Sequence, residues 1–305
     1  MMGLSICIAT YNRLPHLKRL MDSIKNGFDD YPYEIIVADG GSTDGTIDYL
    51  KGSKNVTLIE QGKLIGAVKS FNACFKLAKY DYVMWPADDF ILFPNIIIKA
   101  CNLMDQHKDL GLVGPKTLEP CFGNLPDAEL YFSYLVLTKT HIFRKSVLKE
   151  MDYLDEKYKI YGIDDDSCLA VLDRGYTIAF TKEVGIIHNR IRDELRANNK
   201  EDLLRDGNYL KEKWAVLNSR IANHIKLSFL KSMRLKFFRF FSRGIFRLGE
   251  IGYFRFMPGK GLLLIGKLYD VFLMECLYFK ASEYQQVDEL YLAQRLPEKI
   301  TKSNS

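Results

Sequence analysis

Carboxylates gather in three short clusters, each beside an apolar run. Asp39 follows Glu34–Ala38 and leads into Gly40-Gly41-Ser42-Thr43-Asp44-Gly45-Thr46. Asp88-Asp89 follow the run ending at Trp85, and Asp164-Asp165-Asp166 follow Gly162-Ile163. Adjacent carboxylates repel unless a cation sits between or beside them. A hard divalent ion with oxygen ligands, Mg or Mn, is the natural occupant of a pair such as Asp88-Asp89. The carboxylate of Asp39 suits a polar ligand, and the glycines after it let backbone approach that ligand closely. Capping of a helix start explains one carboxylate among 164–166 but hardly three, which points to a general base. His188 closes the run Val184-Gly-Ile-Ile and becomes a metal ligand only if the fold brings it beside Asp89. Each cluster also has a plain reading: a turn capped by Ser42 or Thr43, an exposed acidic turn, a capped helix, a structural histidine.

The elements that must position these residues alternate through the first half. Leu4–Ala9, Glu34–Ala38, Val56–Ile59 and Asp81–Trp85 read as strands, while segments starting at Pro15, Asp44 and Ile65 carry apolar residues at helical spacing. Repeated strand–helix units imply a mainly parallel sheet with helices on its faces, and such a sheet binds ligands at the carboxyl ends of its strands. Thr10-Tyr11-Asn12-Arg13, Asp39 and Asp88-Asp89 all fall at such ends. Further along, Tyr131–Thr138 reads as a strand, Lys145–Met151 and Asp164–Arg174 as helices, and Tyr176–Thr181 as a strand. From Lys200 onward the pattern is helical.

The chain of 305 residues is long enough for one large domain and an appendage. The expected division is a catalytic unit over 1–220, split near 110, and a helical region over 221–305. The net charge of +5 is too small for a polycation, so local basic runs carry more information. The six cysteines are dispersed with no CxxC pair, against a zinc knot or disulfide scaffold and in keeping with a reducing compartment. No basic leader precedes Leu4, and no run of about 18 uninterrupted apolar residues occurs. A cytoplasmic protein is therefore expected, at most peripheral on a membrane.

Taken in order, Ser5-Ile-Cys-Ile-Ala-Thr-Tyr-Asn-Arg, Val37-Ala-Asp-Gly-Gly-Ser-Thr-Asp-Gly-Thr and Ala87-Asp-Asp resemble the family 2 glycosyltransferases of the GT-A fold. The resemblance spans roughly the first 190 residues. It implies inverting transfer of a sugar from a nucleotide diphosphate, UDP favoured, to a glycan or lipid-linked hydroxyl, with Mn or Mg as cofactor. It places Thr10, Tyr11 and Arg13 in the nucleotide pocket and Asp39 on the base. Gly66 and Asn72 match the glycine and asparagine of the family's helix after the third strand. Asp88 and Asp89 match the DxD motif, in which the last Asp meets the ion, and Ala87 stands where the family usually has Asp or Asn. Asp164 takes the position of the catalytic base with Ile163 in place of the usual Glu, and Asp165 is the alternative. His188 looks like the histidine that completes the metal site.

The last third carries its own signal. From Lys226 to Arg255 the only acid is Glu250, and Lys236, Arg239, Arg243 and Arg247 share one helical face opposite a Phe-rich one. This suits an anionic membrane surface over 226–256, a helix packed on the catalytic unit, or an oligomer contact. Rival readings of the whole chain are a nucleotidyltransferase, a degenerate carbohydrate-binding relative, or a nucleic-acid-binding protein. The first lacks its Gly-rich basic loop after the first strand, and the last is opposed by acidic strand ends.

Overall fold

The computed structural model describes residues 1–25, 27–28, 31–118, 128–131, 135–138, 140–159, 161–189, 200–224 and 291–294. The first half alternates as expected: β1 (Leu4–Thr10), α1 (Leu14–Lys25), β2 (Tyr33–Asp39), α2 (Thr46–Lys51), β3 (Val56–Glu60), α3 (Ala67–Leu77) and β4 (Tyr82–Met84). Then come β5 (Phe90–Leu92), α4 (Pro94–Gln106), β6 (Leu110–Leu118), β7 (Ala128–Tyr131), β8 (Leu135–Thr138), β9 (Ile142–Arg144) and α5 (Lys145–Glu150). The rest is α6 (Ile163–Asp173), β10 (Thr177–His188), α7 (Lys200–Lys213), α8 (Ala215–His224) and β11 (Tyr291–Gln294).

Among the described residues one sheet runs β11-β10-β6-β9-β4-β1-β2-β3, with β5 added to β10. Strands β3, β2, β1 and β4 are parallel, β9 is antiparallel to both its neighbours, and β10 runs parallel to β6. Chain order reverses direction across β1, so a crevice opens at the carboxyl ends of β1 and β4. In register, Thr10 lies opposite Asp39 and Asp39 opposite Glu60, so these polar ends line up on one edge.

Side chains alternate across β1 and feed two cores. Leu4, Ile6 and Ile8 pack with Leu17, Leu20, Met21 and Ile24 of α1 and Ile97, Ala100 and Met104 of α4. Cys7 points the other way, into a core of Val68 and Phe75 from α3, Leu169 and Leu172 from α6, Leu210 from α7, and Leu217 and Ile221 from α8. Helix α6 is buried almost throughout, from Asp165 to Asp173. Helices α7 and α8 cover it and make the second face three elements deep.

Several elements depart from the sequence reading. The single strand expected over Tyr131–Thr138 is a hairpin, β7 against β8, with Tyr131 opposite Leu135; a period-two pattern does not distinguish one strand from two. The regular elements α4 and β6 lie in a stretch to which the sequence reading assigned no element. β11 is a strand within a stretch expected to be helical, and it pairs antiparallel with β10, Ile178 opposite Gln294. The basic 226–256 stretch lies outside the described residues. No helix among the described residues is long and apolar enough to cross a membrane.

Candidate active site

Three strand ends meet through hydrogen bonds. Thr10 Oγ1 donates to Asp88 Oδ2 at 3.0 Å, and Arg13 Nη1 donates to Asp88 Oδ1 at 3.0 Å. Asp88 is thus gripped by the loop after β1. It is 4% exposed, and burial pushes its carboxyl above the ordinary carboxylate range; the Arg13 guanidinium pulls against this and the neighbouring Asp89 charge adds to it.

Asp39 is fully buried at the end of β2 and shapes its own turn. Its Oδ1 accepts from the backbone N–H groups of Gly41 (2.9 Å) and Ser42 (2.7 Å), and its Oδ2 accepts from Ser42 Oγ at 2.6 Å. Ser42 Oγ in turn accepts from Asn12 N at 2.8 Å, and Asn12 Oδ1 accepts from Thr43 N at 2.7 Å. The loops after β1 and β2 are therefore stitched together, with Tyr11 beside Gly40. Gly41 has φ 91°, and a Cβ there would meet the Gly62 carbonyl oxygen at 2.7 Å. The turn after β2 and the turn after β3 touch backbone to backbone, which only glycine allows. Gly66, at φ 98°, precedes α3.

Asp89 and His188 are brought together by strand pairing. Phe90 starts β5 and lies opposite His188 in β10, while Asn189 N donates to the Asp89 carbonyl at 3.1 Å. His188 Nε2 stands 3.4 Å from Asp89 Oδ1. Two donors bound to one cation at about 2.1 Å and near a right angle lie about 3 Å apart, so this oxygen–nitrogen pair fits a shared divalent ion. Among the described residues no group of three His, Cys, Asp or Glu side chains could hold a metal by itself. A two-ligand protein set is what Mg²⁺-type sites use when substrate phosphates supply the remaining oxygens.

The third cluster divides by burial. Asp166 is 3% exposed and structural. Its carboxylate accepts from Tyr158 Oη (3.0 Å), Trp214 Nε1 (2.8 Å) and Lys213 Nζ (3.0 Å). Asp164 is partly exposed and Asp165 is 6% exposed, in the same first turn of α6. Gly162 at φ 72° starts that turn. The segment before it abuts α3: Lys159 O lies 4.0 Å from where a Gly66 Cβ would stand.

Asn72 does not reach toward this edge. Its Nδ2 donates to Leu154 O (2.9 Å) and Glu156 Oε1 (3.1 Å), and its Oδ1 accepts from Leu154 N (3.0 Å). At 3% exposure it braces α3 against the 154–156 segment. The side chain that the resemblance assigns to the nucleotide-sugar pocket is thus turned inward on α3 and engaged with the 154–156 segment.

The sequence reading missed a polar assembly behind α6. Asp155 accepts from Lys213 Nζ (2.8 Å) and Tyr209 Oη (2.8 Å), and Asp206 accepts from the Lys159 and Tyr161 amides at 3.1 Å. These partners lie about fifty residues apart with no local motif to mark them. The acid–Tyr–Lys–Trp composition of Tyr209-Leu-Lys-Glu-Lys-Trp214 was the one available hint.

Known proteins match at this edge. The profile described as Glycosyl transferase family 2 matches residues 5–121. TarS of Staphylococcus aureus, a poly(ribitol-phosphate) beta-N-acetylglucosaminyltransferase, is 27% identical over 175 residues, 52% of this chain and 30% of that one. The abequosyltransferase RfbV of Salmonella typhimurium is 31% identical over 121 residues, 38% of this chain and 36% of that one. The matched stretches are therefore about a third of those relatives' length. Among solved structures, S. aureus TarS in complex with UDP-GlcNAc superposes with a TM-score of 0.56 at 19% identity, covering 77% of this chain and 70% of that one. A Pyrobaculum calidifontis mannosyltransferase with GDP-Man and Mn²⁺ gives 0.50 at 14% identity, over 91% and 87%. The fold is that of the GT-A glycosyltransferases. With its motifs in order on the matched strand ends, the chain is similar to the family 2 glycosyltransferases over residues 5–121.

Proposed function

We propose that the chain transfers a sugar, with inversion, from a UDP-sugar to an acceptor hydroxyl. The observation that carries this is the 3.4 Å approach of Asp89 Oδ1 to His188 Nε2 beside the Thr10–Arg13–Asp88 cluster. The Asp39 turn and Tyr11 receive the nucleotide. Arg13 and Thr10 hold the Asp88 carboxylate in place at the sugar-diphosphate end. Asp89 and His188 hold the divalent ion, Mn²⁺ or Mg²⁺, which when bound offsets charge on the departing diphosphate.

Asp164, with Asp165 as the alternative, accepts the proton of the acceptor hydroxyl. The freed oxygen bonds to the anomeric carbon on the face opposite UDP. The bond from that carbon to the diphosphate oxygen breaks, UDP leaves with the electron pair, and configuration inverts. The half-exposed position of Asp164 beside two buried carboxylates favours it over its neighbours. Similarity to a poly(ribitol-phosphate) beta-N-acetylglucosaminyltransferase and a chondroitin synthase makes a glycan or lipid-linked acceptor the reading of choice. The basic, Phe-rich 226–256 sequence adds a route to an anionic membrane.

A thermal-shift panel of UDP, GDP, CDP and their sugars, with and without Mn²⁺, tests the proposal. A shift for UDP or a UDP-sugar that grows with Mn²⁺ is expected. No response to any uridine nucleotide would overturn it.

A further inference from the structure

We propose that Lys213 is a positioning residue for the carboxylate that takes the acceptor proton. The inference rests on the reading of Asp164 or Asp165 as that base.

Lys213 ends α7, and its ammonium is shared by two carboxylates on either side of the loop that leads into α6. Its Nζ lies 2.8 Å from Asp155 Oδ2 and 2.8 Å from Asp166 Oδ1. Tyr209 Oη also donates to Asp155, and Trp214 Nε1 and Tyr158 Oη also donate to Asp166. The Tyr158 and Tyr209 rings meet edge to face at 4.9 Å, and the ammonium stands 5.6 Å from the Tyr158 centroid. One cation, three hydrogen-bonding aromatic or hydroxyl groups and two carboxylates thus fasten the loop at residue 155 and the helix at residue 166. Asp164 lies between these anchors, within the turn that Asp166 N closes on Gly162 O at 2.9 Å.

The other side of the same loop is held by Asn72 at 154–156 and by Asp206 at the amides of 159 and 161. Gly162, at φ 72°, is the point where the direction of α6 would otherwise be set freely. Removing the ammonium leaves Asp155 and Asp166 facing each other across the loop with no cation between them. The buried Asp166 carboxylate and the partly exposed Asp155 carboxylate then separate or draw in water. The first turn of α6 would then shift, and a base displaced by about 1 Å loses on the order of 100-fold in rate. The nucleotide edge is built from the segments after β1, β2, β3 and β4 and does not include Lys213, so donor affinity is untouched. The two effects separate a positioning role from general loss of structure.

The test uses the full chain with Lys213→Met and Lys213→Arg, UDP release from UDP-GlcNAc into water as the rate, calorimetric binding of UDP, and hydrogen exchange of the 155–167 region. For Lys213→Met, kcat falls about 10- to 100-fold, KM and UDP affinity stay within about twofold, and exchange accelerates at 155–167 but not in β1 or β2. Lys213→Arg restores most of kcat, since a guanidinium spans the same two carboxylates. An unchanged kcat with unchanged exchange overturns the inference, as does a rate loss matched by equal loss of UDP affinity. Asp164→Asn and Asp165→Asn run alongside. If neither slows UDP release, the base assignment fails by itself, and unaltered exchange in Lys213→Met is then the result that overturns the anchoring of this loop.

Discussion

His188 Nε2 and Asp89 Oδ1 approach to 3.4 Å because Phe90, next to Asp89, pairs with His188 across β5 and β10. Neither residue alone makes a metal site. Asp89→Ala and His188→Ala should each abolish the extra thermal shift that Mn²⁺ gives in the presence of UDP. The shift from UDP alone should persist, because the Asp39 turn is intact. Asp88→Asn is predicted to behave differently. It removes the charge that Arg13 pairs with and one of the two acceptor oxygens that Thr10 and Arg13 use, and lowers UDP affinity with or without the ion. An undiminished Mn²⁺ increment in both single variants would remove this pair from the metal site.

Gly41 is the point where the turns after β2 and β3 touch. A methyl group there meets Gly62 carbonyl oxygen and carbon at 2.7 and 2.8 Å, at a backbone φ of 91°. Gly41→Ala should cost about 1–3 kcal/mol from backbone strain and open the contact between the two turns. The expected readout is a lower melting temperature together with weaker UDP binding. Gly62→Ala is the control, with nothing within 4 Å of its Cβ position, although its φ of 70° carries the same backbone strain. If Gly41→Ala loses stability without losing UDP affinity, the turn does not touch the nucleotide.

Asp164 and Asp166 sit two residues apart and should respond oppositely to substitution. Asp166→Asn removes the charge that Lys213 and the Trp214 N–H recognise, worth roughly 1.5–3 kcal/mol. The melting temperature should drop by about 5 °C. Asp164→Asn should leave the melting temperature and UDP affinity unchanged while slowing sugar transfer by about 100-fold or more. A rate loss in Asp164→Asn equalled by a loss of donor affinity would move the base to Asp165.

Much of this edge could be read from sequence because it is made of short strands whose ends carry contiguous motifs. Thr10 to Arg13, Asp39 to Thr46 and Asp88-Asp89 are local strings, and a parallel sheet brings strand ends together whatever the intervening lengths. His188 was readable only conditionally, since its partner depends on the β5–β10 pairing. That pairing rests on a three-residue strand with no alternation to detect. Asn72 matched a motif position, yet its role is set by the 154–156 backbone, which the motif does not describe. Helix α6 was legible as a helix over Asp164–Arg174, but the partners of its carboxylates were not. It is buried nearly all round, and of its three buried carboxylates, Asp165, Asp166 and Asp173, Asp166 is tied to Lys213 and Trp214, which no periodicity links to it. Asp44 shows the opposite case: one exposed side chain accepts from Leu14 N at 2.9 Å and Thr46 N at 3.1 Å, so a residue read as a helix start serves two helices.

Asp155 makes the acid response of the fold predictable in sign. Burial alone would raise its carboxyl, but hydrogen bonds from Lys213, the Lys157 amide and Tyr209 outweigh that and hold it below the ordinary Asp value. A carboxyl lowered in the folded state binds fewer protons there than in the unfolded chain. Its contribution is therefore complete above the unfolded value of about 3.9 and is lost as pH falls through the lower folded value. The same protonation would release Lys213 from Asp155 and leave it on Asp166 alone. Thermal denaturation of wild type and Asp155→Asn at pH about 6 and about 3 checks this. The wild type should be the more stable at the higher pH, and the difference should shrink at the lower one. A difference that stays constant across that interval would mean that Asp155 contributes through its shape and hydrogen-bond geometry, with no contribution from its charge.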